Sequence, residues 1–537
     1  MKTALAQLNF HIGNIKYNTD KIINAIKKAK EDKLDLVIFS ELSICGYSPL
    51  DMLENEDFIQ NCELAIKKIT QQTHGIAAIV GSPTLNKNTK GKNLNNSAIF
   101  IADGKIIKTI NKTLLPTYDI FDEYRHFEPN DIFEIVEYKN KKIAITICED
   151  LWDEQRSFGN FRKEMLYKNS PLEYLSKFKP DFVVNISASP FSYNQADVRK
   201  EILVNNAKKY STPILYINQT GANTDLIFDG GSLVINKNGE TILEANYFEE
   251  DYKVLDLNFV NDIKPLPSAI SDKYADIYRA LVLGVKDYFT KSGLKKAVLG
   301  LSGGIDSALC LAIAVGSLGA ENVEVLLMPT AYSSSHSVDD AIDMAKRCGV
   351  KYHIIDIEKL RIGFEKTMSN LFDGTKPGIT EENIQARLRG SILMAFSNKF
   401  GHIVLNTSNK SEAAVGYSTM YGDMNGALSV IGDVYKTDVY KLSEYINKNI
   451  ADIIPQNTIT KAPSAELRPN QKDNDSLPEY DILDKILYAY IENRLPVDKI
   501  NQIVKDRDTV AHIVKLINNS EYKRFQSPPI LRISSKA

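Results

Sequence analysis

Short apolar runs alternate with amphipathic stretches from the first residues to about position 262. TALAQLNF (3–10) alternates as a strand, a helical period runs to Lys33, LDLVIFS (34–40) predicts a second strand, a longer helix follows, and GIAAIVGS (75–82) predicts a third. NSAIFIADGKIIKTI (96–110) predicts a hairpin, because Asp103-Gly104 can take the positive φ of a tight turn between two β-rich runs. KKIAITIC (141–148), DFVVNIS (181–187), TPILYIN (212–218) and GSLVINKNGE (231–240) continue the strands. The first domain, 1–262, is therefore expected to be a strand-rich α/β unit.

NDIKPLPSAI (261–270) breaks this rhythm with Pro265 and Pro267, and a linker is placed at 263–273. The pattern then restarts over 274–537. A helix to Thr290 precedes AVLGL (297–301), the loop SGGIDS (302–307), the helix SALCLAIAVGSL, the strand VEVLLM (323–328), a helix through Cys348 and the strand YHIID (352–356). This βαβαβ order predicts a doubly wound parallel sheet with its ligand at the carboxyl ends of the strands. RPNQKDNDSLPEY (468–480) is polar and proline-bearing, and is expected to be a mobile or substrate-ordered loop. There is no internal repeat.

Composition narrows the class of function. A chain of 537 residues, 43% hydrophobic and 25% charged, is expected to form two ordinary globular domains. Its net charge of -3 gives no footprint for nucleic acid. Cys45, Cys62, Cys148, Cys310 and Cys348 form no CxxC pair, which points to a reducing compartment and a cytoplasmic location. The first residues do not read as a signal peptide, and no apolar run approaches the ~20 residues that span a bilayer. The histidines show no HxxxH or HExxH spacing, so no zinc site is expected.

The loop LSGGIDSA leaves a buried-type strand and opens a helix, where backbone N–H groups and the positive helix end favour phosphate. Gly303 and Gly304 allow close approach of an anion, and Ser302 and Ser307 add hydroxyls. Asp306 would repel bare phosphate, so its presence fits a polyphosphate carrying Mg2+. The loop lacks the GK[ST] ending of a P-loop and the acidic partner of a dinucleotide fingerprint.

Cys148 stands where an apolar run emerges into a polar loop. A free thiol is only about three per cent ionised at neutral pH, so a nucleophilic role requires help. Glu41 after LVIFS and Lys112 after IIKTIN occupy comparable strand ends, and a carboxylate base with an ammonium is the division of labour that acyl transfer demands. On residues alone, an amide nitrogen meets an ATP-activated acceptor. The identity of the acceptor, and even catalysis by the first domain, remain open at this level.

SGGIDS resembles the pyrophosphatase loop of the ATP-pyrophosphatase superfamily, whose members activate an acceptor oxygen as an adenylate. With ENIQARLRG (382–390), TSNKSEAAVGYSTMYGDMNGALSVIGDVYKTDVYKL (407–442), APSAEL (462–467) and EYKRFQSPP (521–529), the second domain resembles the NAD synthetases. That resemblance implies an adenine nucleotide alpha hydrolase-like fold with ATP on Gly300, Leu301, Ser302, Gly303, Gly304, Ile305, Asp306, Ser307, Thr407 and Lys436. It implies deamido-NAD, that is nicotinic acid adenine dinucleotide, on Asn383, Arg387, Glu412 and Lys523, and Mg2+ on Asp306 and Glu412. Arg387 and Arg389 begin a helix-like run and are suited to fork onto carboxylate or phosphate oxygens. Asn406 stands where glycine commonly precedes Thr-Ser-Asn-Lys.

SELSICGY (40–47), NKTLLPTYDIFDEYRHF (111–127) and CEDLW (148–152) resemble the signature segments of the nitrilase, or carbon–nitrogen hydrolase, family, whose fold is an αββα sandwich. The resemblance implies Cys148 as nucleophile, Glu41 as general base, Lys112 as oxyanion-supporting cation and Glu123 as a second, orienting glutamate. Tyr118, Ser189 and Gln195 would contact L-glutamine. Gln195 replaces a basic residue often found there, and Arg199 lies close by in sequence. Joined, the two resemblances imply a carbon–nitrogen ligase that hydrolyses L-glutamine and spends the ammonia, with ATP, on amidating deamido-NAD. They carry the expectations of a protected route for neutral ammonia and of a homo-oligomer.

Overall fold

Strands buried on both faces read as unbroken apolar runs, and those runs form the centre of each sheet. The computed structural model describes residues 1–153, 166–267, 272–469 and 471–536. Part of the expected linker, 268–271, lies outside the described residues, as does Asn470 of the polar late stretch. The chain divides into two compact units, Met1–Ile270 and Ser271–Ala537.

In the first unit the strands are β1 (Lys2–Gln7), β2 (Leu36–Ile38), β3 (Ala77–Leu85), β4 (Leu94–Ala102), β5 (Lys105–Asn111), β6 (Val136–Tyr138) and β7 (Lys141–Ile147). They continue as β8 (Phe182–Ser187), β9 (Ile214–Asn218), β10 (Thr220–Asn223), β11 (Leu226–Asp229), β12 (Leu233–Ile235), β13 (Thr241–Glu244) and β14 (Asp251–Asp256). Among the described residues they make two six-stranded sheets, β14-β1-β2-β3-β4-β5 and β13-β12-β9-β8-β7-β6, and the hairpin β10-β11. The helices are α1 (Ile15–Glu31), α2 (Glu56–Thr70), α3 (Glu123–His126), α4 (Pro171–Ser176) and α5 (Gln195–Tyr210).

Three apolar layers make this an αββα sandwich. Leu36, Ile38, Ile79 and Phe100 of one sheet share a cluster with Ile145, Ile147, Val184 and Ile217 of the other. Ile22, Ile26 and Ile66 cover one outer face, and Leu172, Leu175 and Leu203 the other. The expected hairpin turns at Asp103 and Gly104, with φ of 48° and 76° between antiparallel β4 and β5. The helix expected after β2 is α2, which begins only at Glu56: residues 39–46 turn back first and a short 3-10 segment covers Leu50–Glu54. That turn carries Glu41. Its backbone lies against β3 at Gly81, where a Cβ would come within 2.4 Å of the Leu42 nitrogen.

The second unit contains β15 (Ala297–Gly300), β16 (Val323–Leu327), β17 (Lys351–Ile354), β18 (Ile403–Asn406) and β19 (Leu428–Ser429). They form a parallel sheet in the order β17-β16-β15-β18-β19. Its principal helices are α6 (Lys273–Lys291), α7 (Ile305–Leu318), α8 (Ser335–Cys348), α9 (Glu358–Phe372), α10 (Ile379–Phe400), α11 (Lys410–Val415) and α12 (Lys436–Asn449). Chain order reverses between β16 and β18 on either side of β15, which opens a crevice at the carboxyl end of β15. Arg387 and Arg389 lie inside α10 rather than at its start, because the helical period begins at Ile379. The late polar stretch folds into a turn at Asp473–Asp475 and buries Asp473.

Candidate functional site

Strand ends bring the predicted residues of the first unit together. Glu41 follows β2, Lys112 follows β5, Glu123 opens α3, and Cys148 leaves β7. The Lys112 Nζ donates to Oε1 of Glu41 at 2.8 Å and to Oε1 of Glu123 at 2.7 Å. All three side chains are buried. Asn96 Nδ2 donates to Glu41 at 2.7 Å, the Ala188 backbone N–H donates to the other oxygen of Glu41 at 3.0 Å, and the Tyr47 hydroxyl donates to Glu123 at 2.8 Å. Each carboxylate is thus held from several elements, so its rotamer is determined by the fold.

Burial alone would lower the Lys112 pKa, but the charges of Glu123 and Glu41 outweigh it and hold the ammonium ionised. Burial pushes the Cys148 thiol up, Glu41 adds to that, and Lys112 opposes it. A thiol so placed is protonated at neutral pH and needs a base at the moment of attack. Its backbone sits at φ 45°, a left-handed conformation that costs a non-glycine residue energy and is characteristic of strained functional turns. Asp150 fixes that turn: Oδ2 accepts the Ile147 N–H at 3.0 Å, and Oδ1 accepts those of Thr113 and Leu114 at 2.9 and 2.8 Å. One carboxylate therefore ties the Cys148 turn to the segment that follows Lys112.

Each predicted glutamine contact has its own local surroundings. The Tyr118 hydroxyl donates to Oε1 of Glu149 at 2.7 Å, and Tyr167 donates to the same oxygen at 2.8 Å. The backbone of Ser189 is held by Asn218. Gln195 begins α5 and is partly exposed. Arg199, close to Gln195 in sequence, makes a buried two-pronged pair with Asp229 at 3.1 and 2.8 Å. That pairing leaves it no open fork for a substrate carboxylate.

In the second unit a cavity of about 320 Å³ opens at the carboxyl end of β15, lined by the loop from Gly300 to Ser307 apart from Gly303, and by Thr407, Glu412 and Lys436. Gly303 sits at φ +81°, and a Cβ there would lie 2.1 Å from the Ser337 carbonyl oxygen. The Gly304 N–H donates to Ser302 Oγ at 3.2 Å, and Ser307 Oγ donates to the Gly304 carbonyl at 3.0 Å, so the serines shape the turn. Lys436, the first residue of α12, pairs with Asp306 and, at 3.1 Å, with Glu412. Burial raises the Glu412 carboxyl to about 7 against the opposing charge of Lys436. Asn409 Nδ2 donates to Asp306 at 3.0 Å while its oxygen caps α11 at the Glu412 N–H.

Asn383, Arg387 and Lys523 converge on the segment 416–420, whose Tyr417 lines the same cavity. Thr419 donates to Asn383 at 2.8 Å, Arg387 Nε donates to the Met420 carbonyl at 3.3 Å, and Lys523 donates to the carbonyls of Gly416 and Ser418, both at 2.7 Å. Arg389 faces the cavity, its pKa lowered by burial to about 10. Tyr47, Asn96, Asp150, Asn409 and Asp473 were not singled out in sequence. Tyr47 inside SELSICGY, Asp150 inside CEDLW and Asn409 inside TSNKSEAAVG lie within motif segments and Asp473 within the late polar stretch, whereas the role of Asn96 depends on contacts across the fold. Among the described residues, no group of three or more His, Cys, Asp and Glu could hold a metal, and no helix is long and apolar enough to cross a membrane.

Comparison with known proteins separates the same two parts. Residues 2–262 match the family model for carbon-nitrogen hydrolase, and residues 277–527 match that for NAD synthase. Glutamine-dependent NAD(+) synthetase of Synechocystis sp. is 42% identical over 99% of this chain and 96% of its own length, and that of Thermotoga maritima is 36% identical over 100% and 96%. The structure of glutamine-dependent NAD+ synthetase from Acinetobacter baumannii in complex with ADP is 39% identical, covering 100% of this chain and 96% of that one, with a TM-score of 0.79. The enzyme from Cytophaga hutchinsonii, 20% identical over 100% and 95%, shares the fold with a TM-score of 0.84.

Proposed function

The chain belongs to the glutamine-dependent NAD(+) synthetases, and from that premise we propose how its residues divide the work. The protein forms NAD by glutamine-dependent amidation. The observation that carries our assignment of the first site is the buried cluster of Glu41, Lys112 and Glu123 within electrostatic reach of Cys148. Glu41 takes the thiol proton as Cys148 attacks the carboxamide carbon of L-glutamine. Lys112, aimed by Glu123 and Tyr47, stabilises the oxyanion. Glu41 returns the proton to the departing ammonia, then activates the water that hydrolyses the thioester to glutamate. Tyr118, Ser189 and Gln195 are proposed to hold the amino acid.

At the second site, the turn from Gly300 to Ser307 cradles the ATP phosphates, with Thr407 alongside and Lys436 offsetting the negative charge that develops on pyrophosphate. The nicotinate carboxylate of deamido-NAD attacks the α-phosphorus to give an adenylate. Neutral ammonia then displaces AMP. Asn383, Arg387, Glu412 and Lys523 are proposed to recognise the dinucleotide, Asn383, Arg387 and Lys523 through the 416–420 segment that they brace. Asp306 and Glu412 offer the hard carboxylate oxygens that suit Mg2+, which would neutralise the phosphates there. We further propose a cytoplasmic homo-oligomer, with ATP, L-glutamine and deamido-NAD as its small-molecule partners.

The test is amide-labelled glutamine chased into NAD against unlabelled ammonia, with wild type beside Cys148→Ala. Labelled NAD from wild type, and ammonia-supported but not glutamine-supported synthesis by C148A, are expected. Glutamine-supported synthesis at wild-type rate by C148A would overturn the assignment.

A further inference from the structure

Lys410 is a buried ammonium that lies two residues before Glu412 but belongs to a different network. It donates to Asp433 Oδ1 at 2.8 Å, Glu492 Oε1 at 2.6 Å, Ser534 Oγ at 2.8 Å and the backbone carbonyl of Lys536 at 2.6 Å. Two of these four acceptors come from the segment Ile533–Lys536. The same segment is bound again by the acids: Asp433 Oδ2 accepts the N–H groups of Ile533 and Ser534, both at 2.7 Å, and Ser535 donates to Glu492. Burying an ammonium with two carboxylates is tolerated only when nearly every lone pair and proton finds a partner.

The short helix α11 that Lys410 opens is the link to the nucleotide cavity. At six residues it is far below the length at which a helix is stable in isolation, so its place is set by what grips it. Residues 409–412 divide between two grips. Asn409 donates to Asp306 and Glu412 pairs with Lys436, both at the cavity. Ser411 donates to Asp484 and accepts the Lys436 N–H at 2.8 Å, and Lys410 reaches the far segment.

We propose that Ile533–Lys536, locked onto Lys410 by Asp433 and Glu492, is a clasp that positions Asn409 and Glu412 for adenylation. This rests on the reading of the cavity as the ATP site. The clasp residues touch no reacting atom; they act as positioning residues through α11. Small displacements of a positioned group cost rate steeply, so loss of the clasp should lower kcat more than it raises KM for ATP.

The test is the full chain ended at Arg532, assayed for ammonia-supported NAD synthesis alone and combined with Glu412→Gln. Ending the chain there is expected to lower kcat by on the order of tenfold or more, and to add little once Glu412 is already replaced, since both changes act through one group. Circular dichroism reports folding. If the shortened chain does not fold, Ser534→Ala with Ser535→Ala enters the same cycle. A kcat within about twofold of the full chain, or losses that multiply in the combination, would overturn the clasp. Failure of the full-length chain itself to make NAD from ammonia and ATP would instead sink the reading of the cavity.

Discussion

The Nζ of Lys112 lies 2.8 Å from Oε1 of Glu41, and neither side chain is reached by solvent. An ion pair this deep leaves the remaining charges uncompensated when one member is removed. Lys112→Met is expected to destabilise the first unit by ~3–5 kcal/mol, read from its urea transition, and to reduce glutamine hydrolysis by roughly a hundredfold or more. Adding Glu123→Gln should return part of the stability but none of the activity. Unchanged stability in K112M would contradict the network.

Glu41 acts on the Cys148 thiol as a charge as well as a base. After burial, its negative charge is the largest cause that keeps the thiol protonated. Glu41→Gln is therefore expected to shift the pH profile of Cys148 alkylation by iodoacetamide to lower pH, while glutamine turnover falls by ~10²–10⁴. A profile that stays in place, or moves upward, would separate the two residues.

Gly303 tests the nucleotide turn. Alanine there must accept φ near +81° and a Cβ placed 2.1 Å from the Ser337 carbonyl oxygen, which the turn cannot do without moving. Gly303→Ala is expected to cost ~1–3 kcal/mol in backbone strain and to weaken ATP binding by about tenfold or more, measured by calorimetry. Equal affinity would show that the turn does not meet the phosphates.

Asp150 gives a pH signature. Burial raises its carboxyl to about 6, although three backbone N–H groups oppose the shift. A folded pKa above the unfolded one means that the folded chain retains its proton longer. The contribution is fully present below about pH 4 and is lost as pH rises through about 6. The stability of wild type relative to Asp150→Asn should therefore fall by up to ~3 kcal/mol between those values, measured by urea titration at each pH. A relative stability that is constant, or rises with pH, would refute this.

Local pattern along the chain marks the two α/β halves, the turn at Asp103-Gly104, the loop SGGIDS and the residues at strand ends. These signals are local: β-strand burial shows in runs such as KIAITI, and a turn needs particular residues at particular places. Glu41, Lys112 and Cys148 were legible for the same reason, because each ends an apolar run and lies in a recognisable motif.

Which group holds which follows from how the elements pack. Arg199 lies close to Gln195 in sequence, yet its guanidinium is held by Asp229, thirty residues away. Nothing near Asn96, Tyr47 or Asp150 in sequence says which charge each will face. The clasp on Lys410 joins positions more than a hundred residues apart. Such pairings arise when elements pack, because a buried charge must find its counter-charge in space, and periodicity along the chain records burial but not the partner.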